Sequence, residues 1–117
     1  MRIGGAIEKP YKNPEEWYQL IRELGYRAVL APIDYRASRE EKQAYLKCAR
    51  DNNMVIGEVG AWKNPVSINE EERKPAMEYC KNQLELAEEL SANCCVNITG
   101  SRGEIWDGCY RDNFSKD

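Results

Sequence analysis

The chain lacks histidine, has one phenylalanine and has no long apolar run among its 117 residues. Zinc sites need clustered Cys and His ligands, so the absence of histidine argues against a zinc centre. A membrane-spanning helix needs about 18 or more consecutive apolar residues, and no such run occurs. The start, Met1-Arg2-Ile3-Gly4-Gly5, is too short and too polar for a signal peptide. We therefore expect a cytoplasmic protein.

An excess of positive charge is also lacking. Lys and Arg number 17 against 20 Asp and Glu, which gives a formal net charge of -3 at pH 7. Proteins that bind nucleic acids or anionic membranes by electrostatics carry a basic patch or stripe. The composition therefore predicts neither a nucleic-acid partner nor a membrane partner.

The five cysteines form no recognisable framework. Their number is odd, and none is spaced as Cys-x-x-Cys. We predict that they are reduced and mostly buried packing residues, as is usual in the cytosol. The residues are Cys48, Cys80, Cys94, Cys95 and Cys109.

What the chain does contain is an alternation of apolar runs and amphipathic segments. The apolar runs predict four strands, over Arg2 to Glu8, Ala28 to Ile33, Met54 to Ala61 and Cys94 to Ile98. Helices are predicted between them. Asn13 before Pro14 is typical of a helix start, and Gly25 of a helix end.

The second helix is predicted to begin at a capping box of Ser38 and Glu41. In the third helix, Pro75 lies five or six residues from Asn69 if Asn69 is the N-cap. This predicts either a kink or a helix start nearer Lys74. The apolar face of that helix is predicted to consist of Met77, Cys80, Leu84, Ala87 and Leu90.

The last residues, from Asp112 to Asp117, are typical of the cap of another helix. We expect the chain to stop before a single turn of that helix can form. The chain would then end in the middle of its architecture.

Repeated strand–helix units imply parallel strands joined by right-handed crossovers. Two architectures fit. In a doubly wound sheet helices cover both faces, whereas in a (β/α)8 barrel they cover one face and the strands enclose a packed interior. A complete barrel takes about 250 residues. A barrel fragment of this length would leave two sheet edges and the interior face bare.

Two segments carry a resemblance to a known family. They are Gly57-Glu58-Val59-Gly60-Ala61-Trp62-Lys63-Asn64-Pro65 and Cys94-Cys95-Val96-Asn97-Ile98-Thr99-Gly100-Ser101-Arg102-Gly103. With them, the chain resembles the sugar phosphate isomerase/epimerase family of xylose-isomerase-like TIM barrels. The resemblance runs from Met1 to Asp117 and implies a single partial domain, the front half of a TIM (β/α)8 barrel with four strands and three helices.

The resemblance also implies a metal, but not on this chain. Such enzymes bind a divalent metal (Mn, Mg, Co or Zn) through two Glu, an Asp and a His from strands of the back half of the barrel. The metal polarises a carbonyl while carboxylates move a proton at the neighbouring carbon. We expect the chain alone to bind no catalytic metal strongly and to catalyse no turnover, so its catalytic residues stay unknown.

Barrel sites lie at the carboxyl ends of strands, which directs attention to five candidate substrate-binding residues. Each has a structural alternative. Glu58 in an apolar strand either meets substrate or forms an ion pair, and Trp62 and Trp106 either wall a sugar site or pack under loops. Asn97 either binds sugar hydroxyls or caps the strand end, and Arg102 either binds an anionic group or pairs with Glu104 and Asp107.

Tyrosines complete this set of candidates. Tyr11 and Tyr35 fall nearer the expected mouth of the barrel. Tyr79 and the others at helix and strand ends are predicted to be core residues with solvated hydroxyls.

Three functions compete at this point. The first is the N-terminal half of a metal-dependent sugar or sugar-phosphate isomerase or epimerase. The second keeps the barrel but acts as a lyase or deglycosidase on oxidised (3-oxo) glycosides. The third is a non-catalytic half-barrel that pairs with a second half-barrel chain or with its own copy as a homo-oligomer.

Overall fold

Four short strands form one parallel sheet, and three helices connect them. The computed structural model describes residues 1–115. The elements are β1 (Gly4–Gly5), α1 (Pro14–Glu23), β2 (Ala28–Leu30), α2 (Arg39–Asp51), β3 (Val55–Ala61), α3 (Glu70–Glu89), β4 (Cys94–Asn97) and a 3-10 turn (Arg111–Phe114). The strands lie side by side in chain order, and every neighbouring pair is parallel. The predicted α/β fold of parallel strand–helix units is confirmed.

Local capping signals place the ends of the first two helices as predicted. The side chain of Asn13 accepts a hydrogen bond from the backbone N–H of Glu16 at 2.8 Å. Ser38 Oγ accepts one from Glu41 N–H at 3.1 Å. Gly25 follows α1 with φ of +70°, the left-handed conformation that glycine adopts after helix ends.

The third helix begins earlier than one of the two predicted alternatives. Asn69 is its N-cap and accepts a hydrogen bond from Glu71 N–H at 3.0 Å, so Pro75 lies inside the helix. The predicted start near Lys74 is wrong. The capping side chain and the three glutamates of the first turn, Glu70 to Glu72, stabilise the helix N-terminus ahead of the proline.

The predicted buried face of α3 is wrong in part. Met77 and Leu84 are 43% and 62% exposed. The buried side chains are Ala76, Gln83, Leu86 and Ala87, followed by Leu90 just after the helix. The buried face of α3 is rotated relative to the predicted one. Gln83, and not an apolar residue, lies at its centre.

The sheet has one face covered by helices and one face that is uncovered. Val29, Ile56, Val59 and Ala61 are each at most 3% exposed. With residues of all three helices, Val29, Ile56 and Val59 form one apolar core. This single-sided cover differs from a doubly wound sheet, whose helices pack on both faces.

We call the other side of the sheet the open face. The strand register and side-chain alternation place on it Ala28, Leu30, Val55, Glu58, Gly60, Cys94 and Val96. Gly57 is the extra residue of a bulge between the pairs Val29–Ile56 and Leu30–Glu58. Every residue of the open face is half-buried or exposed.

The first two strands are shorter than predicted. β1 has two residues and β2 has three. β1 lies very close to β2, since a Cβ on Gly4 would fall 1.9 Å from the carbonyl oxygen of Ala28. Glycine permits this approach but offers no side chain to pack, which weakens a longer strand.

The cysteines are free, but the prediction that most are buried is wrong. Cys94 and Cys109 are exposed, and Cys48, Cys80 and Cys95 are half-buried. Cys94 is exposed because it belongs to the open face. Burial raises the pKa of the Cys48 and Cys95 thiols above the ordinary value, which favours the neutral thiol.

The helix cap predicted over residues 112–117 lies only partly within the described residues. There, a 3-10 turn (Arg111–Phe114) follows Tyr110, and Asp112 lies inside the turn. Any helix at Lys116 and Asp117 lies outside the described residues. Of the helices in residues 1–115, none has the length and apolar character needed to cross a bilayer.

Candidate functional site

A cavity of about 670 Å³ lies at the carboxyl edge of the sheet. Its walls come from the loops after β2 and β3, the first half of α3 and the loop after β4. We call it the aromatic cavity, because four aromatic side chains line it: Tyr35, Trp62, Tyr79 and Trp106. Parallel α/β sheets bind their ligands at this edge.

Two of the aromatic rings of the cavity stand at a steep angle to each other. Tyr35 and Tyr79 meet edge to face, with ring centroids 5.7 Å apart and an interplanar angle of 79°. Trp62 and Trp106 remain 46% and 37% exposed. Exposed indole faces beside polar groups suit a ligand that has both apolar and hydroxyl-bearing faces.

Two cations lie among these rings. Lys63 Nζ is 5.8 Å from the centroid of the Tyr79 ring, and the Arg36 guanidinium is 5.3 Å from that of Tyr35. Arg36 Nε also donates a hydrogen bond to Tyr35 Oη at 3.3 Å. That hydrogen bond is the main cause that raises the pKa of Arg36. Burial raises the pKa of Tyr79, which keeps its phenol neutral and able to donate.

The side chain of Gln83 stabilises the structure next to the aromatic cavity. Its Nε2 donates to the carbonyl of Gly60 on β3 at 2.8 Å, and its Oε1 accepts from the backbone N–H of Tyr35 at 3.0 Å. The side chain is 4% exposed. One amide on α3 therefore joins β3 to the loop after β2 and positions Tyr35 at the cavity.

A second set of hydrogen bonds fixes the loop that carries Trp106. Asn64 Nδ2 donates to the carbonyl of Ser101 at 2.6 Å, and the Ser101 N–H donates to Asn64 Oδ1 at 3.1 Å. Asn113 Nδ2 donates to Ser101 Oγ at 3.2 Å. Gly100 precedes this contact with φ of +95°. We call Asn64, Gly100, Ser101 and Asn113 the loop latch.

The structure brings two of the five predicted site residues together. Trp62 and Trp106 line the same cavity although 44 residues separate them in sequence. Trp62 approaches β3 closely, since a Cβ on Gly60 would lie 2.2 Å from Trp62 Nε1. The absence of a side chain at Gly60 therefore makes room for the indole.

Glu58 lies elsewhere, on the open face between Leu30 and Cys94. It lines a shallow depression of about 310 Å³ with residues of β1 and β2. Among residues 1–115 no cation lies within ion-pair distance of its carboxylate. Glu58 is therefore separate from the aromatic cavity.

Asn97 and Arg102 make contacts away from the aromatic cavity. Asn97 Nδ2 donates to the carbonyl of Ala61 at 3.0 Å and contacts Cys80 Sγ at 2.9 Å, on the helix-covered face. Arg102 Nη1 donates to Ser115 Oγ at 3.1 Å, and Arg102 lines a second cavity of about 740 Å³ that also includes Glu104. These contacts connect neighbouring segments of the protein.

Several residues of the site were not singled out from the sequence. The sequence predicts Tyr79 to be a core residue and assigns no role to Lys63 or Gln83. A signal existed for Lys63 and Asn64, which directly follow Trp62 in a loop marked by Asn64-Pro65. No local signal distinguishes Gln83 from an exposed helical glutamine.

In the described part of the chain, no three Cys, Asp or Glu side chains come together as metal ligands. No family model, curated protein or solved structure matches the chain. The class of protein that fold and site define is thus an α/β protein with a parallel sheet and an aromatic cavity at its carboxyl edge.

Proposed function

We propose that the chain is the N-terminal half of a xylose-isomerase-like barrel and contributes a carbohydrate-binding wall to it. The observation that carries the proposal is the pairing of Trp62 and Trp106 in one cavity beside hydrogen-bond donors. The strand order and the one-sided helix layer support the barrel. The resemblance of the two quoted segments supports the isomerase or epimerase assignment.

The cavity has the chemistry that a sugar requires. The CH faces of a pyranose or an open-chain sugar pack against indole and phenol rings, and the hydroxyls accept from Tyr79 Oη, Lys63 Nζ and the Arg36 guanidinium. The carboxylates of Glu71 and Glu72 accept from sugar hydroxyls on the other side. In this account, the chain binds and orients its ligand.

The described residues of this chain do not fit the metal that the family uses. The chain has no histidine, and its described residues bring no ligand cluster together. The proposal therefore places the divalent metal (Mn, Mg, Co or Zn) and the proton-transfer groups in the other half of the barrel. No catalytic step is assigned to residues of this chain.

A metal titration tests this division of roles. Calorimetric titration of the 117-residue chain with Mn²⁺ is expected to give only weak heats without a defined stoichiometry. Tight binding of one ion per chain would contradict the division, because it would require a ligand set within this half.

A second calorimetric titration tests the sugar wall. Aldoses, ketoses and their phosphates are titrated into the chain and into Trp62→Ala. If the indole contributes about 50 Å² of apolar contact at about 25 cal/mol per Å², its loss weakens binding about tenfold. The matched control is Leu84→Ala, since Leu84 is 62% exposed on α3 and is not among the cavity residues. Equal affinities for the two variants would contradict the proposal.

A second candidate function is a non-catalytic half-barrel that pairs with another chain. The open face favours it, because no element among residues 1–115 covers that side of the sheet. Carbohydrate binding in the aromatic cavity distinguishes the two candidates, since a purely structural half-barrel has no reason to discriminate among sugars.

A further inference from the structure

A second cavity, of about 740 Å³, adjoins the aromatic cavity and lies between the start of α3 and the loop after β4. Glu72 lines both cavities, and Ile105 of the second directly precedes Trp106 of the first. Ser101 of the second cavity is hydrogen-bonded to Asn64 of the first at 2.6 and 3.1 Å. The two cavities therefore share a wall, and two linked chemical groups suffice to occupy both.

The walls of the second cavity carry exposed apolar side chains. Ile68 and Ile105 are each 69% exposed, and Tyr110 is 41% exposed. Single apolar side chains are normal on a protein surface, whereas a group of them around one concavity is typical of a ligand-binding groove. Contact with an apolar group would remove this surface from water, which is favourable.

Two glycines allow these side chains to lie against the backbone of the loop after β4. A Cβ on Gly103 would lie 2.8 Å from Tyr110 Cγ, and a Cβ on Gly108 would lie 2.8 Å from Ile105 Cγ2. A larger residue at either position would displace the apolar wall. The loop therefore holds both side chains beside the cavity.

The charges of the second cavity disfavour an anionic ligand. Its lining includes the carboxylates of Glu72 and Glu104 and the guanidinium of Arg102. Arg102 Nη1 already donates to Ser115 Oγ at 3.1 Å and to the Asp112 carbonyl at 3.4 Å. Two carboxylates and one guanidinium leave a net negative charge, so a neutral group fits this cavity better than a carboxylate or a phosphate.

We propose that the second cavity binds a neutral apolar group joined to the sugar that occupies the aromatic cavity. The ligand is then a sugar with a bulky apolar substituent, such as an aryl glycoside. The inference rests on the proposed function, because the aromatic cavity must hold the sugar. It concerns binding alone and assigns no bond-breaking step. A free monosaccharide occupies only one of the two cavities and therefore binds more weakly.

Calorimetric titration with methyl, phenyl and carboxyphenyl β-glucosides, and with the same three β-xylosides, tests the proposal. If the phenyl group buries about 60 Å² of apolar surface at about 25 cal/mol per Å², the phenyl glycoside of the sugar that binds is expected to bind about tenfold more tightly than the methyl glycoside. The carboxyphenyl glycoside is expected to bind more weakly than the phenyl glycoside. Equal affinities of the methyl and phenyl glycosides, or tightest binding of the carboxyphenyl glycoside, would overturn the proposal.

Substitutions locate the added affinity. In Ile105→Ala and Tyr110→Ala, the ratio of phenyl to methyl glycoside affinity is expected to fall toward one, whereas Trp62→Ala lowers both affinities and keeps the ratio. Ile3→Ala is the matched control, since Ile3 is 65% exposed and lines neither cavity. A ratio that falls as far in Ile3→Ala as in Ile105→Ala would overturn the proposal.

Cysteine alkylation gives a readout on the unmodified chain. Cys109 lines the second cavity and Cys94 lies on the open face, and both are exposed. At ten times its dissociation constant, the phenyl glycoside leaves about a tenth of the sites empty, so alkylation of Cys109 by iodoacetamide is expected to slow about tenfold. The methyl glycoside is expected to slow it much less, and neither glycoside changes the rate at Cys94. An unchanged rate at Cys109 with the phenyl glycoside bound would overturn the proposal.

The outcomes separate this inference from the proposed function. Methyl glycosides that bind with an affinity dependent on Trp62, with no gain from the phenyl group, would overturn the inference and leave the sugar wall in place. The absence of binding by every sugar and glycoside would overturn both.

Discussion

Replacing Gly100 with alanine is expected to release the loop that carries Trp106. Gly100 has φ of +95°, and a Cβ there would lie 2.1 Å from Asn64 Oδ1. The left-handed backbone costs a non-glycine residue about 1–2 kcal/mol. Displacing Asn64 also removes its two hydrogen bonds to Ser101, at about 1 kcal/mol each. We expect the loop latch to be destabilised by about 3–4 kcal/mol of free energy. We also expect the affinity for a sugar to fall more than tenfold.

Gly25 provides a matched control for that substitution. It also has a positive φ, +70°, but nothing lies within 4 Å of the position of its Cβ. Gly25→Ala therefore carries only the backbone cost of about 1–2 kcal/mol. Hydrogen exchange across residues 98–115 and calorimetric sugar affinity measure the difference. Equal effects of the two substitutions would show that contact with Asn64 does not hold the loop.

Replacing Gln83 with leucine is expected to destabilise the carboxyl edge of the sheet. Leucine has a similar volume but bonds neither the Gly60 carbonyl nor the Tyr35 N–H. Each buried polar group left without a partner costs about 1–3 kcal/mol, so we expect the two groups together to lower the free energy of unfolding by about 2–6 kcal/mol. That is a large part of the stability of a small domain, which is about 5–15 kcal/mol.

Urea denaturation measures this loss, and Gln43→Leu is the matched control. Gln43 is exposed on α2, and we expect its replacement to change the free energy of unfolding by at most about 0.5 kcal/mol. Gln83→Leu should also weaken sugar binding, because Tyr35 loses the bond that positions its backbone. A Gln83→Leu protein as stable as Gln43→Leu would contradict the bridging role.

Local signals in the sequence were sufficient to predict the order of the strands and helices. Asn13, Pro14, Ser38 and Gly25 act through bonds and dihedral angles within a few residues, so the helix ends follow from short segments. The parallel arrangement followed from the alternation of strands and helices alone. The lengths of β1 and β2 could not be predicted from local signals, since they depend on how closely the two strands approach each other.

The buried face of α3 could not be found by counting apolar residues. Met77 and Leu84 fit a helical stripe but are exposed, whereas Gln83 is among the buried residues of the helix. Its burial is favourable only because two backbone groups on other elements meet its amide. These partners are distant in sequence, so the helical spacing of apolar residues does not predict them.

The candidate site also depends on contacts between residues that are distant in sequence. Trp62 and Trp106 each fall in a loop after a strand, which predicts a place at the site, and the fold brings both to one cavity. Asn97 is a polar residue at the carboxyl end of a strand, which predicts a place at the site, but its face of β4 turns toward α3 and Cys80. Which face of a parallel strand meets the helices depends on the register and on the bulge at Gly57, and neither can be read from composition.

The central claim, that the aromatic cavity binds a carbohydrate, is tested most directly by NMR of the three tryptophan indole N–H groups. Trp62 and Trp106 line the cavity, whereas Trp17 is 1% exposed in the core and serves as an internal reference. We predict that a binding sugar shifts the Trp62 and Trp106 signals along one saturable curve and leaves Trp17 unmoved. Signals that stay fixed across aldoses, ketoses and their phosphates, or that all shift together, would contradict the claim.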